Sequence, residues 1–485
     1  MPSIINPRRN PAPQIVIATL AFCGIVVSLM QTLIIPLIPG LPTMLNTTSA
    51  NASWAITATL LAGAVVTPIG GRLGDMFGKR RILIVSLFAM VVGSVLCALT
   101  DSLAIMVTGR ALQGLAMGAI PLGISIMRDL LPPQRVGAAV ATMSATMGVG
   151  GAVGLPLAAF IAQSSDWHML FWAAAALGAA CLALVWFVLP ESTVRTPAKF
   201  DSIGALGLAV GLSALLIPVT KGSDWGWGSL STIGLFGFSV ITLLAWGAYE
   251  LRIKAPLVDL RVSARPQVLF TNMASIMIGF AMYGMSLVFP QLLMAPSATG
   301  YGLGQSMLMT GLALAPGGLV MMALSPVSAR LSARRGPKTT LITGAIVICA
   351  GYVLVLFLNA QVWQVILSSM VISAGIGLAF AAMPALIMGA VPITETGAAN
   401  GLNSLMRAIG TSSSAAVLSV VLASMTMSVG PVSVPTFDAF RVTFAIAVGA
   451  AALAGLLAAF VPSRASDTPS TTGPTQDARV SVSAG

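Results

Sequence analysis

Residues 71–81 read Gly71-Arg72-Leu73-Gly74-Asp75-Met76-Phe77-Gly78-Lys79-Arg80-Arg81 and lie between two long apolar stretches. Four cations, one carboxylate and three glycines crowd into this connector. A connector so charged and so tight is more than a passive link. A degraded copy follows 258 residues later, as Arg330-Leu331 with Gly336. A second pair of blocks, Leu131–Ala139 and Val391–Ala399, repeats at an offset of 260.

The surrounding composition sets the solvent. The chain has 485 residues, 57% hydrophobic and only 8% charged, whereas soluble proteins carry roughly 25% charged residues. The bilayer is therefore the solvent, and each spanning segment must satisfy its own backbone hydrogen bonds. Long continuous apolar runs select helices over the short alternating strands of a barrel. A spanning helix needs about 20 mostly apolar residues. Fourteen stretches qualify: 15–38, 53–71, 82–99, 103–126, 137–162, 168–189, 203–220, 231–249, 268–294, 304–327, 339–358, 362–387, 397–424 and 439–462.

Charge sorts these spans. With the N-terminus inside, 20 of the 24 Lys and Arg residues fall on the inner side, from Arg8 and Arg9 to Arg464 and Arg479. Only Lys221 and Arg441 fall outside, while Arg110 and Arg407 lie within spans. Such asymmetry fixes the orientation, with both termini cytoplasmic and an even helix count. It also accounts for the net charge of +11 as a face turned toward anionic lipid, without nucleic acid. Arg8 and Arg9 precede a span that runs past a signal-peptide core, so the first helix is read as retained. The four cysteines lie in apolar spans, and one histidine excludes a His-based metal site. No metal and no cofactor are expected.

The repeated blocks occupy equivalent connectors, after the second and fourth spans of each half. The expected architecture is all-α: two six-helix bundles in parallel repeat plus an inserted two-helix hairpin. Its divisions are 1–195, the hairpin at 196–262, 263–463, and a polar tail at 464–485 expected to be disordered. Parallel repeats typify transporters whose substrate site lies near the midplane between the halves.

In this arrangement the chain resembles the major facilitator superfamily, in its fourteen-helix drug:proton antiporter branch (EmrB/QacA-type). Gly71, Leu73, Asp75, Gly78, Lys79, Arg80 and Arg81 match the family's first cytoplasmic motif. Arg110, Gln113 and Gly114 match its fourth-helix motif, and Gly150, Gly154 and Pro156 part of its fifth-helix motif. Phe200–Ala205 and Trp225-Gly226-Trp227 resemble the entry and outer loop of the extra hairpin. The fifth-helix match lapses after Pro156, where Leu157, Ala158 and Ala159 replace the expected glycine pair.

The resemblance implies a latch at 71–81 that holds the cytoplasmic side closed; a solvated positive anchor is the other reading. Asp75 is expected to pair with a nearby cation or to cap the next helix. The repeat carries Ala333 at the equivalent place, so a latch would be one-sided. Arg110 would serve proton coupling by resemblance, or a structural hydrogen bond to carbonyls. Gly114 and Gly118, four apart, permit a close helix crossing. Asn400, Asn403 and Arg407 share one helical face, which suits either a cavity lining or interhelical glue. Gln31, Asn272, Tyr283 and Gln291 are further cavity candidates.

No acid falls near the centre of a span, and both embedded charges are cations. The expected function is export of an antibiotic or other amphipathic small molecule, neutral or anionic, by proton antiport with alternating access. Asp75 and Asp129 are the acids nearest to serve the proton. The expected partners are that substrate, protons and the lipid bilayer, with a monomer as the working unit. A proton-coupled uptake symporter and a transport-inactive sensor are the alternatives. An enzyme lacks the necessary constellation of His, acids or Ser at depth.

Overall fold

The computed structural model describes residues 11–38, 40–192, 194–196, 198–429 and 432–462. Arg8, Arg9, Arg464, Arg479 and the tail 464–485 lie outside the described residues. Fourteen helices are long and apolar enough to span a bilayer. They are α1 (Pro13–Thr32), α2 (Ala50–Phe77), α3 (Lys79–Ala98), α4 (Leu103–Leu130), α5 (Pro133–Ser164) and α6 (His168–Val188). Then come α7 (Ser202–Trp225) and α8 (Leu230–Glu250). The last six are α9 (Pro266–Met294), α10 (Met307–Arg335), α11 (Pro337–Phe357), α12 (Val362–Ala390), α13 (Ile393–Ser424) and α14 (Phe437–Ala459).

Local chemistry sets the ends. Pro13, Pro133, Pro266 and Pro337 occupy first helical positions, where a missing N–H costs nothing. Asp201 caps α7 by accepting from the Gly204 N–H at 2.8 Å, and Ser229 caps α8 by accepting from Thr232. A short antiparallel pair, β1 (Thr426–Val429) and β2 (Val432–Pro435), joins α13 to α14.

Two apolar cores form. Leu20, Leu83, Met90, Phe171 and Val185 belong to one, built almost wholly from α1–α6. Phe289, Tyr352, Phe380, Phe440 and Phe444 belong to the other, built from α9–α14. The halves meet along two seams, α2 against α13 and α5 against α10.

Among the described residues, the hairpin packs chiefly against one seam. Leu208, Leu212 and Leu216 of α7 pack in one cluster with Ala64 of α2 and Leu405 of α13. By contrast α8 faces outward, with Leu230, Ile233, Phe238, Ile241 and Leu244 exposed. The sequence reading placed Lys221 in an outer connector; it is instead buried within α7, about one turn before its end. Its Nζ donates to the Ala50 carbonyl and the Ser53 hydroxyl at the start of α2, 5.0 Å from the Trp54 ring centre.

The connector at 71–81 also needs correction. Helix α2 continues to Phe77 and α3 begins at Lys79, so the break is Gly78 alone, at φ 113°. That backbone favours glycine, and the Glu191 carboxylate fills the space where a Cβ would stand. Arg72 and Asp75 look like loop residues by hydropathy, yet both are buried within the helical bundle.

Candidate functional site

The structure places Asp75 at the seam between the halves, with no solvent exposure. It does not cap the next helix, as the sequence reading allowed, but a helix of the other half. Its Oδ1 accepts from the Gly397 N–H at 3.1 Å and its Oδ2 from the Ala398 N–H at 2.9 Å. Both amides belong to the first turn of the regular α-helical part of α13, Thr396–Ser424, where unpaired N–H groups and the helix dipole favour an anion. Gly71 makes the approach possible: a Cβ there would stand 2.3 Å from the Gly397 carbonyl oxygen.

Of the other motif side chains, Lys79 reaches Asp75, while Arg80 and Arg81 tie the start of α3 to the end of α6 and the residues after it. Lys79 Nζ lies 3.5 Å from Asp75 and 2.7 Å from Asp129 Oδ2, which also accepts from the Ser192 hydroxyl at 2.6 Å. Arg80 donates to the Trp186 carbonyl at 2.5 Å, and Arg81 pairs with Glu191 at 3.7 Å. Leu73 is only partly buried. A second tie, which the sequence reading missed, runs from Arg128 to the Thr396 hydroxyl at 2.5 Å and the Val391 carbonyl at 3.3 Å. Only its place beside a basic connector hinted at it. At the repeat, Ala333 is exposed and nothing crowds Gly336. The tie is one-sided.

Deeper, Arg110 of α4 is buried and held by three hydrogen bonds. Its Nε donates to the Ala55 carbonyl at 3.1 Å, and its Nη1 to Gln113 Oε1 at 2.6 Å and the Met30 carbonyl at 3.5 Å. Gln113 passes the chain to the Ser94 hydroxyl at 2.8 Å. Gly114 lets α4 approach α2, since a Cβ would stand 2.5 Å from the Thr59 carbonyl oxygen. This geometry joins α1, α2, α3 and α4 in one network.

Between the halves lies a cavity of about 10 Å³, lined by Asn400, Asn403, Ser404 and Arg407 of α13 with Phe380, Ser144 and apolar neighbours. It holds little more than one water. Among the described residues Arg407 is its only charged lining residue; the guanidinium lies 4.7 Å from the Phe380 ring centre and donates to the Ser404 hydroxyl at 3.3 Å. Asn403 serves as glue too, donating to Asn272 Oδ1 at 2.9 Å and the Ser275 hydroxyl at 2.7 Å. Asn272 therefore supports the cavity from behind. Gln31, Tyr283 and Gln291 do not line it, and Gln291 donates to its own helix at Leu287.

The fifth-helix glycines divide their work. A Cβ at Gly150 or Gly154 would strike Ser28 or Thr32 of α1, whereas Gly148 faces Gly318 of α10 across the seam. Pro156 lies inside α5 and meets Gly311 of α10.

These features can be set beside known proteins. Residues 20–415 and 271–484 match the Major Facilitator Superfamily. The chain is 27% identical to the MFS-type transporter MT1926 of Mycobacterium tuberculosis, over 84% of its own length and 58% of that relative's. Thus it spans little more than half of that longer protein. It is also 27% identical to the tetracenomycin C resistance and export protein of Streptomyces glaucescens, over 87% of this chain and 78% of the relative. Its fold is similar to that of the human organic anion transporter MFSD10 (TETRAN), with a TM-score of 0.66, 17% identity, and coverage of 92% of this chain and 100% of that one. Fourteen apolar helices in two joined bundles, a charged tie between them and a family match across most of its length make the chain a multi-pass membrane protein that belongs to the major facilitator superfamily.

Proposed function

We propose that the transporter exports a neutral or anionic amphipathic small molecule, such as an antibiotic, by proton antiport and alternating access. Its setting is the cytoplasmic membrane, with both termini in the cytoplasm and the proton gradient as its energy source. The observation that carries the reading is the central cavity: it is collapsed, and its single charge is the Arg407 cation. A site for lipophilic cations wants a carboxylate; a site built around arginine and amides suits carboxylates, phenolates and carbonyls. The name of the Streptomyces glaucescens relative supports the outward direction.

In this mechanism the basic face is cytoplasmic, and the Asp75 tie seals it. Pockets that bury drug-sized ligands span roughly 300–1,000 Å³, so cargo enters only after the tie opens and the halves part. Asp75 and Asp129 meet at Lys79, which makes them the candidates to exchange a proton as the seal breaks. Arg110, bonded to the Ala55 and Met30 carbonyls, positions α4 against α1 and α2.

Inverted vesicles test the proposal by substrate-induced proton flux. Arg407→Ala is expected to lower apparent affinity for an anionic cargo by about tenfold or more, the worth of a lost charged hydrogen bond. Arg407→Lys should recover part of it. Unchanged transport in Arg407→Ala removes this residue from the site. Tight export of ethidium-like cations refutes the cargo class, and no pH change with any amphipathic drug refutes antiport.

A further inference from the structure

Two carboxylates meet where the hairpin ends. Glu250 closes α8 and is 2% exposed, yet neither of its oxygens has a hydrogen-bond partner. Asp201 caps α7, and its buried Oδ2 is unpartnered as well. The two groups face each other. A Cβ placed on Gly204 would stand 2.0 Å from Asp201 Oδ2 and 2.4 Å from Glu250 Oε1, so those oxygens are no farther apart than the two reaches together.

The surroundings supply donors but no cation. Asp201 Oδ1 accepts from the Gly204 N–H at 2.8 Å and from the Tyr249 hydroxyl at 3.1 Å. The amides of Leu257 and Val258 approach Glu250 from the following strap without making an aligned bond. The nearby faces of α2 and α13 contribute the apolar Ile69, Leu402 and Leu405, and Arg72 of α2 and Glu395 of α13 line the cavity on the far side of the strap. Lys199, Arg252 and Lys254 point to solvent, and Arg261 donates to the Leu251 carbonyl at 2.6 Å. Among the described residues, every ion pair lies elsewhere.

Two facing acceptors, buried and unpaired, lack one donor. We propose that Asp201 and Glu250 form a proton-binding site in the hairpin, holding a single proton between Oδ2 and Oε1. Like charges this close cannot both persist away from water, whereas one shared proton satisfies both atoms. The site is not the antiport carrier, because it sits at the basic end and draws its proton from the cytoplasm. Its effect passes through the strap. Leu257 and Val258 also line a cavity of about 270 Å³ beside Arg72 and Ala398, next to the Asp75 tie. Loss of the proton sets the two carboxylates against each other and loosens the strap there.

Dicyclohexylcarbodiimide tests this on the purified full-length protein. It adds only to a neutral acid: the carboxyl oxygen joins the central carbon, the proton passes to nitrogen, and nothing leaves. At about pH 7, where an ordinary carboxylate is almost wholly ionised, mass spectrometry should find Glu250 modified at least about tenfold more than exposed Asp101 or Asp166. The labelling should fall as pH rises. In Asp201→Asn the side-chain amide donates in place of the proton, so Glu250 labelling should drop to the level of the exposed acids. Labelling of wild-type Glu250 at that low level overturns the proposal. So does unchanged labelling in Asp201→Asn, and so does protection by sodium against choline at equal ionic strength, which would make this a metal-cation site.

Discussion

Asp75→Asn should cut transport by about tenfold or more while leaving the protein folded. The carboxylate accepts two backbone N–H bonds at the start of α13, and a charged hydrogen bond contributes about 1.5–3 kcal/mol. The amide keeps one acceptor but turns its NH₂ toward the other donor and loses the charge that the helix dipole favours. Folding survives because Lys79 retains Asp129 at 2.7 Å, so no buried cation is orphaned. The sealed state weakens relative to the open one, and about 1.4 kcal/mol is a tenfold shift in population. A cysteine introduced at Thr196, beside the tie, in a protein freed of its native cysteines reads this directly. Its maleimide reaction should quicken by about tenfold in Asp75→Asn. An unchanged rate would show that Asp75 does not hold the seal.

Gly318→Val should damage the opposite seam as severely. A Cβ at Gly318 would stand 2.2 Å from the Gly148 carbonyl oxygen and 2.4 Å from the Ala152 Cβ. The neighbour is backbone, so it cannot swing aside, and overpacking of this kind costs about 1–3 kcal/mol. The expected result is a lower melting temperature together with loss of transport. Gly151→Val is the control: nothing lies within 4 Å of its Cβ position, so stability and transport should stay near wild type. Equal behaviour of the two variants would mean that the seam is not packed as described.

The spans were legible because lipid imposes a simple rule on long apolar runs, and all fourteen emerge as helices. The detail of the site was harder to read. Asp75 could be singled out from its glycines and cations, but not its partner 322 residues away, because backbone amides leave no mark in a sequence. Hydropathy ended α2 six residues early, since a polar residue buried against another helix looks the same as one in water. Asn400, Asn403 and Arg407 share a face, as their spacing indicates, yet spacing could not separate lining from glue, and Asn403 does both. Lys221 counted as an outer charge and proved to be a buried anchor. The Asp201 and Glu250 pair went unseen because the two acids are 49 positions apart in the chain.

The hairpin makes the two seams unlike in what surrounds them. Helix α7 lies across α2 and α13 through Leu208, Leu212 and Leu216, so when that seam parts, the surface it slides upon is protein. Among the described residues the seam of α5 and α10 has no such cover, so in the proposed rocking its parting would be filled by acyl chains. Under the proposed mechanism, the energy needed to rock the halves would depend on bilayer thickness and fluidity along one flank of the molecule and be insulated from them along the other.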